Sequence, residues 1–149
     1  RISRPRALDF GPDIERGIAQ YPPKAGASYR TYVSALDADG NETGGIRGAE
    51  LLAPLGTYPG WNLRNPDQGA PGDLMQMMGS TLAFPRTRPE REQRRDPRPS
   101  IEERYGSRAG YLGAVREVAQ KLVANRHVHA EDVDAIIERA GRAWDYIHA

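Results

Sequence analysis

The chain has 149 residues, 38% of them hydrophobic, a formal charge of +1 from 21 basic and 20 acidic side chains, and no cysteine. No apolar run approaches the roughly 18 residues that span a bilayer, no apolar run of signal-peptide kind follows the basic Arg1–Arg6 stretch, and the lack of cysteine excludes a disulfide framework or a thiolate metal site. The near-balance of charge gives no bulk reason to bind nucleic acid or an anionic membrane.

The first 28 residues mix proline, glycine and charge around isolated apolar anchors, Leu8, Phe10, Ile14, Ile18 and Tyr21, with no sustained period of 2.0 or 3.6. They read as an extended arm. Residues 29–47 read as a β-hairpin: Tyr29 to Leu36 is rich in residues that suit a pleated surface, Asp37 to Asn41 supplies a turn with an Asp-Gly step, and Glu42 to Ile46 returns, weakened by Gly44 and Gly45. Residues 48–99 carry turn punctuation around three apolar islands, Leu51 to Leu55, Tyr58 to Trp61 and Leu74 to Met78. A structureless loop of that length is rare inside a compact domain, so the segment is expected to wrap over a larger body.

From residue 100 the character changes. All twelve prolines lie before it. Ser100 with Glu103 forms a capping box for a short helix to about Tyr105. Ser107 caps a second helix over about 108–125, with Tyr111, Leu112, Val115, Val118, Ala119, Leu122 and Val123 on one face. A third runs over about 130–148, with Glu131 and Asp132 in its first turn and Val133, Ile136, Ile137, Ala140, Ala143, Trp144 and Ile147 on its apolar face. The short connection predicts an antiparallel helical hairpin. The expected class is α+β: a Pro/Gly-rich wrapping segment over 1–99 with its β-hairpin, then a helical hairpin over 100–149. Such a hairpin covers only part of its own apolar face, which predicts a partner in cis or in trans.

No serine sits in a G-x-S-x-G elbow; Met78-Gly79-Ser80-Thr81 lacks the second glycine. His127 and His129 flank Val128 at the helix–helix turn, a spacing that needs a third ligand, Glu131 or Asp132, to hold a metal. Without one they are surface turn residues, His129 a candidate N-cap. Counted from Asp37, the sixth and twelfth positions of a calcium loop hold Glu42 and Gly48, so that reading fails. Arg86 to Arg104 interleaves seven arginines with five carboxylates and no aromatic platforms, a solvated, ion-paired surface. The string Thr57 to Arg64 places two aromatics, an amide and a guanidinium around a Pro-Gly turn. It offers a pocket with Trp61 as wall beside Tyr58 and Asn62 or Arg64 as polar anchors; the alternative is structural, with Trp61 plugging the loop into a core and Arg64 in an ion pair. No cofactor site and no metal site is expected.

Four strings, Val33 to Arg47, Leu52 to Arg64, Gly79 to Thr87 and Asp96 to Tyr105, are co-linear with the C-terminal region of the bacterial alpha/beta hydrolase domain proteins, which the chain resembles from about Leu8 to Trp144. The resemblance implies a part of a larger α/β-hydrolase-like fold. Its nucleophile elbow and catalytic histidine lie upstream, so no catalytic residue carries over onto this chain. It also implies a serine hydrolase acting on a carboxylic ester or related acyl bond. The first methionine is Met75, which agrees with a processed, trimmed or partial chain. The implied partner is an upstream hydrolase core, in cis or as a cleaved chain, with a homo-oligomer also open. The alternative is a stand-alone interaction or dimerisation module. Nineteen arginines against two lysines read as the coding bias of a GC-rich bacterium and leave the compartment, cytoplasmic or exported, open.

Overall fold

Short strands and helices form wherever a cap or a close-approach glycine permits them along the proline-rich part, and two long helices follow. The computed structural model describes residues 5–30, 32–71 and 73–149. Ser3 and most of the basic Arg1–Arg6 run, and Thr31 of the expected hairpin, lie outside the described residues. The chain divides into a smaller unit, residues up to Val33 with Leu63–Leu74, and a larger one, Ser34–Asn62 with Met75–Ala149.

The smaller unit corrects the expectation of an aperiodic arm. Strand β1 (Arg6–Asp9) pairs antiparallel with β2 (Lys24–Ser28), matching Arg6 to Ser28 and Asp9 to Lys24, with a register shift between Arg6 and Leu8. The Arg6 Nε–H donates to the Gly26 carbonyl at 2.8 Å. The pair lacks a buried face, so its sequence never alternates, and periodicity has nothing to detect. In the other part of this unit a 3-10 turn, Pro66–Gln68, is capped by Asn65, whose side chain accepts from the Asp67 N–H.

Among the described residues, the hairpin expected over 29–47 is reduced to its tip, residues 36–42, which belongs to the larger unit. Leu36 bridges Glu42, the Asp37 carboxylate accepts the Asp39 and Asn41 N–H groups at 3.0 Å, and Gly40 takes a positive φ of 79°. Strands do not extend from this tip. Tyr32 and Val33 are 84% and 72% exposed, and β propensity yields a strand only where the pleated face is packed. Helix α1 (Ala49–Leu52) follows, then β3 (Gly56–Thr57), which pairs antiparallel with β6 (Leu82–Ala83). Gly56 is required there, because a Cβ would collide with the Leu82 carbonyl. Strand β4 (Trp61–Leu63) pairs with β5 (Leu74–Gln76).

Helix α2 (Arg88–Arg94), inside the arginine-rich run read as plain surface, starts at Thr87, whose hydroxyl accepts from the Glu90 N–H, and places Pro89 in its first turn, where a missing N–H costs nothing. Helix α3 (Ile101–Tyr105) has the expected capping box: the Ser100 hydroxyl accepts the Glu103 N–H, and the Glu103 carboxylate accepts the Ser100 N–H at 2.8 Å. Helix α4 (Arg108–Ala124) begins at the Ser107 cap. Helix α5 (Val133–His148) follows a 3-10 turn at Ala130–Asp132, whose N-cap residue His129 makes no side-chain cap bond. Arg108 at the start of α4 bonds Asp145 near the end of α5 through Nε and Nη2 at 2.8 and 2.9 Å, so the two helices run antiparallel.

The core lies in this unit. Tyr111, Val115 and Leu122 of α4 and Trp144 of α5 meet Ala49, Ala53, Leu55, Phe84 and Ile101. The Leu51 to Leu55 island and Phe84 therefore cover the face that the helical hairpin leaves open, whereas Trp61, Leu74, Met77 and Met78 of the other two islands are exposed. The body that this island and Phe84 wrap is, in large part, the chain's own C-terminal helices. No helix among the described residues is long and apolar enough to cross a membrane.

Candidate functional site

Tyr58 is half-buried directly after β3. Its N–H donates to Asn41 Oδ1 at 2.8 Å, and its hydroxyl oxygen accepts the Leu55 N–H at 3.3 Å. Burial pushes its hydroxyl above the ordinary phenol range. Asn41 has no exposed surface; its Nδ2–H donates to the Gly56 carbonyl at 3.1 Å. One buried amide thus fixes the Asp37–Asn41 turn to β3 and sets the position of Tyr58.

A second layer surrounds that contact. The Thr57 hydroxyl donates to the Asp39 carbonyl, and the Arg98 Nη1–H donates to the Thr57 hydroxyl at 2.8 Å. Arg98 also grips Asp96 through Nε and Nη2 at 2.9 and 2.6 Å, which holds the Asp96 carboxyl below its usual range. Arg104 forms a bidentate pair with Asp39. Both guanidiniums lie over the Phe84 ring, at 5.1 and 4.2 Å from its centroid, a doubled cation–π contact. Arg98 and Arg104 therefore depart from the solvated role expected for Arg86 to Arg104. Arg88 and Arg94 keep that role, on Glu92 and Glu90. The Tyr105 hydroxyl donates to the Pro54 carbonyl at 2.9 Å, and burial pushes that phenol up to about 12.

The residues missed from sequence, Asp39, Asn41, Thr57, Arg98 and Arg104, pair across 15 to 65 positions, beyond any local spacing rule. A signal did exist. Each of the four strings that carried the family resemblance supplies a member of this network.

The other expected pocket residues are more exposed than Tyr58. Trp61, on β4, is 46% exposed, and its carbonyl accepts the Ser80 hydroxyl at 3.1 Å. Asn62 is exposed on the same strand. Arg64 belongs to the smaller unit, where its N–H donates to the Asp73 carbonyl at 3.0 Å. Ser100 and Ser107 use their hydroxyls as helix caps. The His148 ring stacks on Trp144 with centroids 4.3 Å apart. Among the described residues no group of three or more histidines and carboxylates is placed to hold a metal ion, so His127 and His129 lack the third ligand their spacing requires.

The family model described as alpha/beta hydrolase domain matches residues 14–138. This chain belongs to that family. The assignment agrees with the resemblance carried by the four strings and suggests a hydrolase-type function. No curated protein and no solved structure matches the chain. Within the family match, the Asp37–Asn41 turn, β3, Phe84 and α3 form the buried polar framework that holds Tyr58 in place.

Proposed function

We propose that this chain serves as a C-terminal, non-catalytic segment of a serine hydrolase acting on a carboxylic ester or related acyl bond. It covers the catalytic core, and Tyr58, Trp61 and Asn62 line the substrate pocket that the core presents. Arg64, in the smaller unit, is proposed as a polar contact to the same core. One observation carries the reading: the hydrolase family match falls on a chain in which the Ser80 hydroxyl donates to the Trp61 carbonyl, the Ser107 hydroxyl accepts the Gly110 N–H, and the Ser100 hydroxyl is held by the Glu103 N–H and carboxylate. A serine nucleophile needs a base within hydrogen-bond reach. Exposed apolar side chains of the larger unit, Trp61, Met77, Met78 and Leu82, support a covering role, since they give the segment an apolar surface to bury.

The test is covalent labelling of the purified chain with a fluorophosphonate probe, read by mass spectrometry. No adduct is expected on any serine. A stoichiometric adduct on one serine would overturn the non-catalytic assignment.

A further inference from the structure

The larger unit contains a cavity of about 270 Å³ that shares only Tyr58 with the reading above. Its lining comes from α1, Tyr58, α4 and α5: Ala49, Tyr111, Val115, Ile136, Ala140 and Ala143 supply apolar surface, and Glu50 and Arg139 supply one charge of each sign. This is slightly below the usual size range of small-molecule sites and suits one ring or a short aliphatic chain.

Two phenols in the lining hold unused donors. Tyr111 is only 3% exposed, yet its hydroxyl makes no hydrogen bond to any described residue. Its ring is fixed between Tyr105, edge-on at 5.1 Å, and Trp144, stacked at 5.4 Å. The Tyr58 hydroxyl accepts the Leu55 N–H, and its own proton has no acceptor among the described residues. Tyr105, by contrast, satisfies its proton on Pro54. The Tyr111 hydroxyl oxygen is not fully enclosed, and both residues line the cleft, so each proton is open to an acceptor that enters it. Burial and the nearby Glu50 carboxylate hold both phenols in the protonated, donating form. Glu50 and Arg139, both exposed, carry opposite charges, so the lining has no net charge to favour an ion of either sign.

We propose that this cleft is a binding site for a small uncharged molecule with an apolar body and a carbonyl-type oxygen, which accepts hydrogen bonds from Tyr58 and Tyr111. The site shares Tyr58 with the proposed substrate pocket, uses none of Trp61, Asn62 or Arg64, and does not rest on the hydrolase reading.

The experiment is a titration of the full chain, followed by amide ¹H–¹⁵N chemical shifts, with three probes of matched size: acetophenone, ethylbenzene and benzoate. Acetophenone is expected to shift the amides of Ala49, Val115, Ile136 and Ala140 saturably. It should bind about five- to tenfold tighter than ethylbenzene, the value of one or two neutral hydrogen bonds, and tighter than benzoate. Tyr58→Phe and Tyr111→Phe, which keep the rings, should each remove most of that preference and leave ethylbenzene binding unchanged. Ala140→Leu, which fills the cleft, should weaken both neutral probes. Equal binding of acetophenone and ethylbenzene, stronger binding of benzoate, or no saturable shift at these amides would overturn the proposal. The wild-type comparison needs no variant, so it decides the matter whether or not a variant folds.

Discussion

Asn41, which has no exposed surface, ties the Asp37–Asn41 turn to β3 because its amide serves one carbonyl and one N–H. Asn41→Ala should lower the unfolding free energy by about 2–4 kcal/mol, since a buried carbonyl and a part-buried N–H lose their bonds. Urea unfolding followed by the far-UV signal measures this, and a change near zero would show that the turn is not anchored as described. The buried phenols set the alkaline limit. Tyr105 holds its proton in the folded state to about 12, against an ordinary value of 10.0, and Tyr58 and Tyr111 are raised as well, in each case chiefly by burial. The unfolded chain gives up these protons first, so stability is full below pH 10 and is lost as pH rises toward 12. Thermal midpoints recorded across this window should fall; a flat profile would contradict the burial of the three rings. At this scale the local pairs were legible in sequence, namely the Ser100–Glu103 box and the Asp37–Gly40 turn, because each is written within a few residues. The Asp39–Arg104 pair, 65 positions apart, follows from the fold and not from spacing.

At the scale of elements, the last fifty residues were readable because amphipathic helices carry their burial pattern in their own period. The strands were not. Those of the smaller unit have no buried face, and β3 and β6 are two residues each, too short to alternate. Residues 29–30 and 32–35 show the converse error: good strand formers without a packed face stay irregular. The two glycines near the start of α4 separate propensity from packing. Each should cost helix stability by about 1 kcal/mol against alanine. At Gly113 an added Cβ meets nothing within 4 Å, whereas at Gly110 it meets the Tyr105 carbonyl of the preceding helix. Gly113→Ala should therefore stabilise the chain by roughly 0.5–1 kcal/mol. Gly110→Ala should destabilise it, by pushing α4 from α3. Thermal unfolding of the two variants should move in opposite directions, and movement in the same direction would mean that the α3–α4 turn is looser than the structure has it.

At the scale of the whole molecule, the sequence pointed to a wrapping segment in search of a body. The structure supplies much of that body from α4 and α5, which Leu55, Phe84 and Ile101 cover. What remains open is a set of exposed apolar side chains, Trp61, Met77, Met78 and Leu82 among them, on a chain that belongs to the alpha/beta hydrolase domain family. The four strings of the resemblance were visible as strings. Their convergence on Asn41, Thr57, Phe84 and Arg98 required the fold, because composition cannot say that an arginine in a charged run lies on a buried ring. The most direct measurement is hydrolysis of p-nitrophenyl butyrate by the purified chain, alone and mixed with the catalytic core proposed for it. No turnover above buffer is expected from the chain alone, and a clear gain in rate is expected when it is added to that proposed core. Turnover by the chain alone, or a core indifferent to its addition, would contradict the proposed non-catalytic covering role.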